Sequence, residues 1–322
     1  MNDSVWKLQN IDAAYWDEYI ATRPKYDSTI FDPIFAYHAA GKIPFRDALD
    51  IGTGAGSTLG PLLDMFGRVT ASDNDTVSVQ FAQHRFQHIP RSRLSWTMSK
   101  GEELIKYHAP GSFDMITCAL TFPLLDTEKA LRCIFTLLRP GGTLAIWFYG
   151  PPFFIEPTLA TEAQPILYAA MDQAFKPVVS GGNGQQRASW KRAADGMASW
   201  LDYIPFSEGQ WKDVRRQKWN NTKARLAFFG PAACDFKVEP VSSVNRLEAV
   251  TEKYDPTFWN VNWDFEMVRR FVIAVFPKPR EMAGPDEIMD GHLKKLREMM
   301  GGRDRKASMS WPAVLILARK QC

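Results

Sequence analysis

The chain has 322 residues, of which 45% are hydrophobic and 23% charged, and its net charge is +3. That balance supports a sizeable globular core and excludes both a disordered chain and a strongly basic one. Four dispersed cysteines (Cys118, Cys133, Cys234 and Cys322) form neither a disulfide framework nor a C-x-x-C metal pair.

Met1 to Asp12 carries no apolar leader, and no window reaches the ~20 apolar residues that span a bilayer. Lys212 to Lys223, with Arg215, Arg216 and Lys218, is the nearest approach to a basic stripe and is too short for a nucleic-acid groove. The expectation is a reduced, soluble, cytoplasmic protein that binds neither nucleic acid nor membrane. No metal is expected, and its oligomeric state is left unassigned.

Residues 1–46 predict a helical lid. Apolar positions at Tyr15, Tyr19, Ile30, Ile34, Phe35 and Tyr37 fit two short helices, broken at Arg23-Pro24 because proline disfavours helix in the residue before it. Residues 47–150 then alternate strand and helix. Strands are expected at Leu49–Ile51, Val69–Ala71, Leu94–Met98, Phe113–Cys118 and Thr143–Phe148. Helices are expected at Ser57–Phe66, Thr76–Phe86 and Glu128–Leu138, the last ended by Arg139-Pro140-Gly141-Gly142. Such alternation predicts a doubly wound, mostly parallel α/β sheet with right-handed crossovers.

After Gly150 the alternation fails. Residues 151–235, with Trp190, Trp200, Trp211 and Trp219, read as a mainly helical cap. Residues 236–322 return to the sheet through a strand near Phe236–Val244 and end on a strand at Ala313–Ala318. Helices are expected between them near Leu247–Tyr254, Asp264–Phe276 and Glu287–Met300.

The stretch Ala48-Leu49-Asp50-Ile51-Gly52-Thr53-Gly54-Ala55-Gly56 carries the chemistry. Glycines there let the backbone turn sharply and approach a ligand. Asp73, at the end of the second strand, can accept hydrogen bonds from a ribose diol, although helix capping is a competing role that Asp75 could also fill. A dinucleotide fingerprint needs its third glycine at the sixth position, where Ser57 stands. A phosphate loop needs a lysine, and none occurs between Arg46 and Lys100. What remains suits a nucleoside without pyrophosphate.

At this point the chain resembles the class I S-adenosylmethionine-dependent methyltransferases. Gly101-Glu102-Glu103-Leu104 resembles their Ala-Glu-x-Leu segment. Ser112-Phe113-Asp114 matches the lead into the fourth strand, and Leu138-Arg139-Pro140-Gly141-Gly142 the turn before the fifth. Arg23-Pro24-Lys25-Tyr26 looks like the lead of trans-aconitate methyltransferase-like enzymes. Ser310-Trp311-Pro312-Ala313 through Ala318 resembles the closing strand of fungal members.

The resemblance implies a seven-stranded Rossmann-like sheet with S-adenosyl-L-methionine as cofactor. It places Arg23, Tyr26, Asp50, Gly52, Thr53, Gly54, Gly56, Asp73, Asn74, Gly101, Glu102, Glu103 and Thr121 at the cofactor. No residue is assigned as catalytic; Tyr19, Thr121, Phe122 and Trp259 are candidates for bordering the methyl, with Trp259 also readable as core. The His-Trp-Phe-Asp segment of many members is replaced here by Pro123-Leu124-Leu125-Asp126, so no imidazole is offered at that point. The five histidines form no cluster.

A tryptophan-rich insertion over the cofactor predicts an enclosed apolar pocket, and so a small-molecule methyl acceptor such as an organic acid or secondary metabolite. Two alternatives keep the cofactor: a cyclisation or rearrangement in which the methyl stays in place, and a non-catalytic regulator.

Overall fold

The computed structural model describes residues 13–181, 184–275, 286–302 and 304–321. Met1–Asp12, Phe276 and Cys322 lie outside the described residues, and with them the readings made there.

The lid forms as two helices, α1 (Ala13–Ala21) and α2 (Ser28–Ala40), the second capped by the Asp27 side chain on the Thr29 amide. The core runs β1 (Asp47–Ile51), α3 (Leu59–Met65), β2 (Arg68–Asp73), α4 (Thr76–Arg85), β3 (Leu94–Met98), β4 (Phe113–Ala119), α5 (Thr127–Leu137) and β5 (Leu138–Tyr149). The insertion holds β6 (Phe153–Phe154), α6 (Pro157–Glu162), α7 (Gln164–Val179), α8 (Gly184–Ala198) and β7 (Trp211–Trp219). The chain closes with β8 (Ala249–Lys253), β9 (Val261–Trp263), α9 (Phe265–Ala274), α10 (Glu287–Met299), β10 (Ala307–Ser310) and β11 (Ala313–Lys320).

The main sheet has eight strands in the order β3-β2-β1-β4-β5-β11-β7-β8. Strands β3 to β5 pair in parallel, and β11 runs antiparallel between β5 and β7. The order reverses between β1 and β4, and open α/β sheets place ligands outside the carboxyl ends of the strands at such a switch point. β5 and β11 are apolar almost throughout because both of their faces are covered. A small second sheet, β6-β10-β9, joins the insertion to the closing segment.

The Pro140-Gly141-Gly142 turn falls within β5. It takes up extra residues between the pairs Phe113–Leu138 and Met115–Thr143, with Gly141 at φ +77°.

Two elements differ from expectation. The strand returning to the sheet is Trp211–Trp219, not 236–244, which has no regular structure. The supposed basic stripe is therefore a sheet strand. Arg216, fully buried, meets Glu248 at 2.5 Å, and Lys218 meets Asp202 at 2.7 Å. The helix expected near Leu247–Tyr254 is instead β8, an exposed edge strand parallel to β7.

Candidate active site

The loop after β1 wraps over the end of β2. The amides of Gly52 and Thr53 both donate to the Ser72 carbonyl, at 2.8 and 2.9 Å, and Gly54 N–H donates to Asp73 Oδ2 at 2.8 Å. Its three glycines have positive φ, of +72°, +50° and +81°, each for a different reason. A Cβ on Gly52 would overlap the Thr121 side chain. One on Gly54 would meet open space in the cleft, and one on Gly56 would press on Phe86 and Leu59. Gly54 thus leaves open space in the cleft, Gly52 admits the Thr121 side chain, and Gly56 serves helix packing and does not line the cleft.

Of the two acids at this end of β2, Asp75 takes the capping role. Asp75 caps α4, accepting from the Ser78 amide at 2.8 Å. Asp73 also accepts from the Asp75 amide, at 2.9 Å, and presents its carboxylate to the cleft. Burial pushes its carboxyl above the usual range, against the pull of the amides donating to it.

Asp50 is 1% exposed and does not line the cleft; it accepts from Thr58 Oγ1 at 2.5 Å and Thr117 Oγ1 at 2.6 Å. Burial pushes its carboxyl up to about 6, with the hydroxyls opposing the shift. It supports the loop from behind.

The cleft, about 880 Å³, runs between this loop, the lid residues Tyr19, Arg23 and Tyr26, and Thr121, Leu124 and Tyr149. It continues into a polar cavity of about 1200 Å³ at the ends of β2 and β3, where Asn74, Gly101, Glu102 and Glu103 stand. Glu102 is oriented by the Asp126 amide, which donates to it at 2.8 Å. Glu103 also pairs with Lys106 at 2.6 Å, which holds its carboxyl below the usual range.

On the lid, Arg23 lies 4.2 Å over the Tyr19 ring and 4.9 Å over Phe271, and donates to the Ala274 carbonyl at 3.0 Å. It meets no carboxylate at ion-pair distance among the described residues. Tyr26 packs edge-on to Trp147 and Tyr149, and burial pushes its hydroxyl well above the usual range. Trp259 stands behind both tyrosines, at 6.2 Å from Tyr26 and 5.9 Å from Tyr149, and lines neither cavity. Phe122 is fully buried and also lines neither, whereas Thr121 lines both.

A second pocket, about 530 Å³, opens off the cleft and shares Tyr19, Arg23, Leu120 and Leu124 with it. Its walls are Phe148, Phe175, Trp190, Phe228 and Phe229, with Pro123 at the place where an imidazole was missing from the sequence. Among the described residues that line it, Arg23 is the only charged side chain, and none is a histidine, aspartate or glutamate. Of the four tryptophans noted in the insertion, only Trp190 lines it; Trp211 and Trp219 belong to β7. Phe148, Phe175 and the Phe228–Phe229 pair are far apart in sequence and follow no motif, so only the fold brings them together. The only signal was the aromatic density of the insertion.

None of the helices among the described residues is long and apolar enough to cross a membrane. His38, on α2, is buried against Thr143 at 2.9 Å and serves the core.

The residues present fit a nucleoside with an aliphatic arm: glycines where a Cβ would intrude, a carboxylate for a diol, and polar groups beyond it. Comparison with known proteins agrees. A family described as "Methyltransferase domain" matches residues 49–146. The chain is similar to the methyltransferase pgmE of Aspergillus terreus, 38% identical over 98% of this chain and 96% of that one. It is also similar to cfoB of Aspergillus candidus, at 34% over 96% and 95%, and to ptaI of Pestalotiopsis fici, at 33% over 95% and 93%. A solved structure titled as a putative type II methyltransferase from Anaeromyxobacter dehalogenans shares the fold, with TM-score 0.53 at 15% identity over 92% and 97%. With both the full-length relatives and the glycine-loop geometry in agreement, the chain belongs to the class I S-adenosylmethionine-dependent methyltransferases.

Proposed function

We propose that this enzyme methylates a small, largely apolar organic acceptor of secondary metabolism, bound in the aromatic pocket beside the cofactor cleft. The observation that carries this reading is the junction itself. Tyr19, Arg23, Leu120 and Leu124 belong to both cavities, so an acceptor among the phenylalanines would reach the cleft without crossing solvent. S-adenosylmethionine, when bound, supplies an electrophilic methyl on a sulfonium. The protein's task is to align the two reactants and exclude water, and alignment can contribute ~7–11 kcal/mol in well-oriented systems.

The lining residues hold no carboxylate or imidazole to take a proton. That supports an acceptor that needs no protein base: a carboxylate, a thiolate or an already acidic hydroxyl. The Arg23 guanidinium, lying across the junction, favours an anionic group there and orients it toward the cleft.

The test is incubation of the purified chain with methyl-labelled S-adenosylmethionine and a panel of aromatic acids, thiols and phenols. Label in a small-molecule product supports the proposal. The absence of a base equally favours the cyclisation reading, in which the cofactor's charge acts at a distance; conversion of a panel member without label would establish that instead.

A further inference from the structure

Helix α8 is shared between the two cavities. Gln185, Ser189 and Arg192, spaced at i, i+4 and i+7, line the polar cavity at the ends of β2 and β3. Trp190, Ala193 and Met197, at i, i+3 and i+7, line the aromatic pocket. These spacings define two adjacent stripes of one helix. The short turn Phe122–Leu124 packs against α8 between them, and Leu124 lines both cavities and the cleft.

We infer that α8 is itself part of the cofactor site, and that the cofactor's adenosine end, by holding its Ser189–Arg192 stripe, orders the wall that receives the acceptor. The second half of this inference rests on the acceptor-pocket assignment above; the first does not. Two observations and the chemistry of adenine carry it. The Ser189 hydroxyl accepts from Arg192 Nη2 at 3.1 Å, so the two side chains lean together at the rim of the polar cavity. Arg192 has no carboxylate at ion-pair distance among the described residues, although Glu102 and Asp126 line the same cavity. An adenine ring presents acceptor nitrogens to a guanidinium and a hydroxyl, and a guanidinium can also stack on it.

The outer face of the helix is held mainly by surface ion pairs, Arg187–Asp235 at 2.9 Å and Lys191–Glu239 at 3.3 Å. Such pairs contribute little individually, and the buried side of the helix is held by Trp190, Ala193, Ala194 and Met197, so a ligand in the polar cavity adds a hold on the stripe that packing leaves unburied. Because Trp190 and Ala193 neighbour Ser189 and Arg192 along the chain, ordering one stripe orders the other.

Hydrogen–deuterium exchange of the full chain, with and without S-adenosylhomocysteine, tests this directly. Ligand binding is expected to slow exchange about tenfold both in the 52–56 loop and across 185–197. The double variant Ser189→Ala/Arg192→Ala changes only surface-reaching side chains. It is expected to bind S-adenosylhomocysteine about three- to tenfold more weakly by calorimetry. At saturating ligand it should keep protection of the 52–56 loop while losing it on α8. Protection of the loop with α8 unchanged in the wild-type chain overturns the inference, as does a double variant with wild-type affinity and full α8 protection. Protection nowhere would overturn the cofactor site itself, and the inference with it.

Discussion

Gly54 N–H donates to the Asp73 carboxylate at 2.8 Å, so the acid that ends β2 also buttresses the loop that follows β1. One carboxylate therefore shapes the cleft and faces it. Its neighbour Asp75 performs the helix capping that might have claimed it.

Replacing each acid separates these roles. Asp73→Asn loses the charge that holds the loop and would meet the ribose. Hydrogen bonds to charged groups contribute about 1.5–3 kcal/mol, so S-adenosylhomocysteine affinity should fall roughly ten- to a hundredfold by calorimetry. Asp75→Ala should cost about 1 kcal/mol of stability, the usual value of an N-cap, read as a lower thermal midpoint.

The glycines should respond differently to alanine. Gly52→Ala sets a Cβ into Thr121 at φ +72°, so stability and cofactor affinity fall together. Gly54→Ala meets open space. Only the left-handed backbone is penalised there, by about 1–2 kcal/mol. The chain should stay folded while its new methyl group enters the cleft and cofactor binding is lost. Circular dichroism melts alongside calorimetry distinguish the two; equal binding losses with equal melts would contradict this account.

Asp50 should make the unliganded protein less stable toward neutral pH. Its folded carboxyl titrates near about 6, against an ordinary 3.8, so between those values the folded state holds the extra proton. Stability then falls as pH rises from about 4 to 6, and the deficit of about 3 kcal/mol persists above that. Asp50→Asn removes this dependence. Its stability relative to the wild type should rise across that window and level off above it, as measured by urea unfolding at several pH values. A flat difference from pH 4 to 7 would refute the burial argument.

The aromatic pocket predicts a split in readouts. Phe228 packs against Phe148, Tyr149 and Phe175 and lines only the acceptor side. Phe228→Ala should leave S-adenosylhomocysteine affinity within about twofold while raising the acceptor KM roughly tenfold or shifting the preference to bulkier acceptors. An equal loss of cofactor affinity would mean that the two cavities are not distinct.

Much of the cofactor side was legible in the chain because its determinants are local. A glycine's φ, a cap three residues ahead of an amide and the alternation of a buried strand with an amphipathic helix all operate within a few residues. The Gly52–Gly56 loop and the helix at Thr127–Leu137 could therefore be read directly, and the cap of the second helix narrowed to Asp73 or Asp75. Roles within the motif could not. Gly54 and Gly56 look alike in sequence, and only the neighbours folded around them separate ligand space from helix packing.

The acceptor side and the far edge of the sheet depended on distant partners. Lys212 to Lys223 was the nearest approach to a basic stripe in the sequence because Glu248 and Asp202, which neutralise Arg216 and Lys218, lie outside it. A charged strand can enter a sheet only when such partners arrive, and no local pattern announces them. The pocket likewise gathers Phe148, Phe175, Trp190 and Phe228 from four separate segments. By itself the sequence determined the core fold, through short spacing and backbone chemistry, and the cofactor through the family resemblance its motifs carry. Tertiary packing alone decided which side chains gather into the aromatic pocket and that α8 lines both it and the polar cavity, because apolar burial is non-directional and has no fixed spacing along the chain.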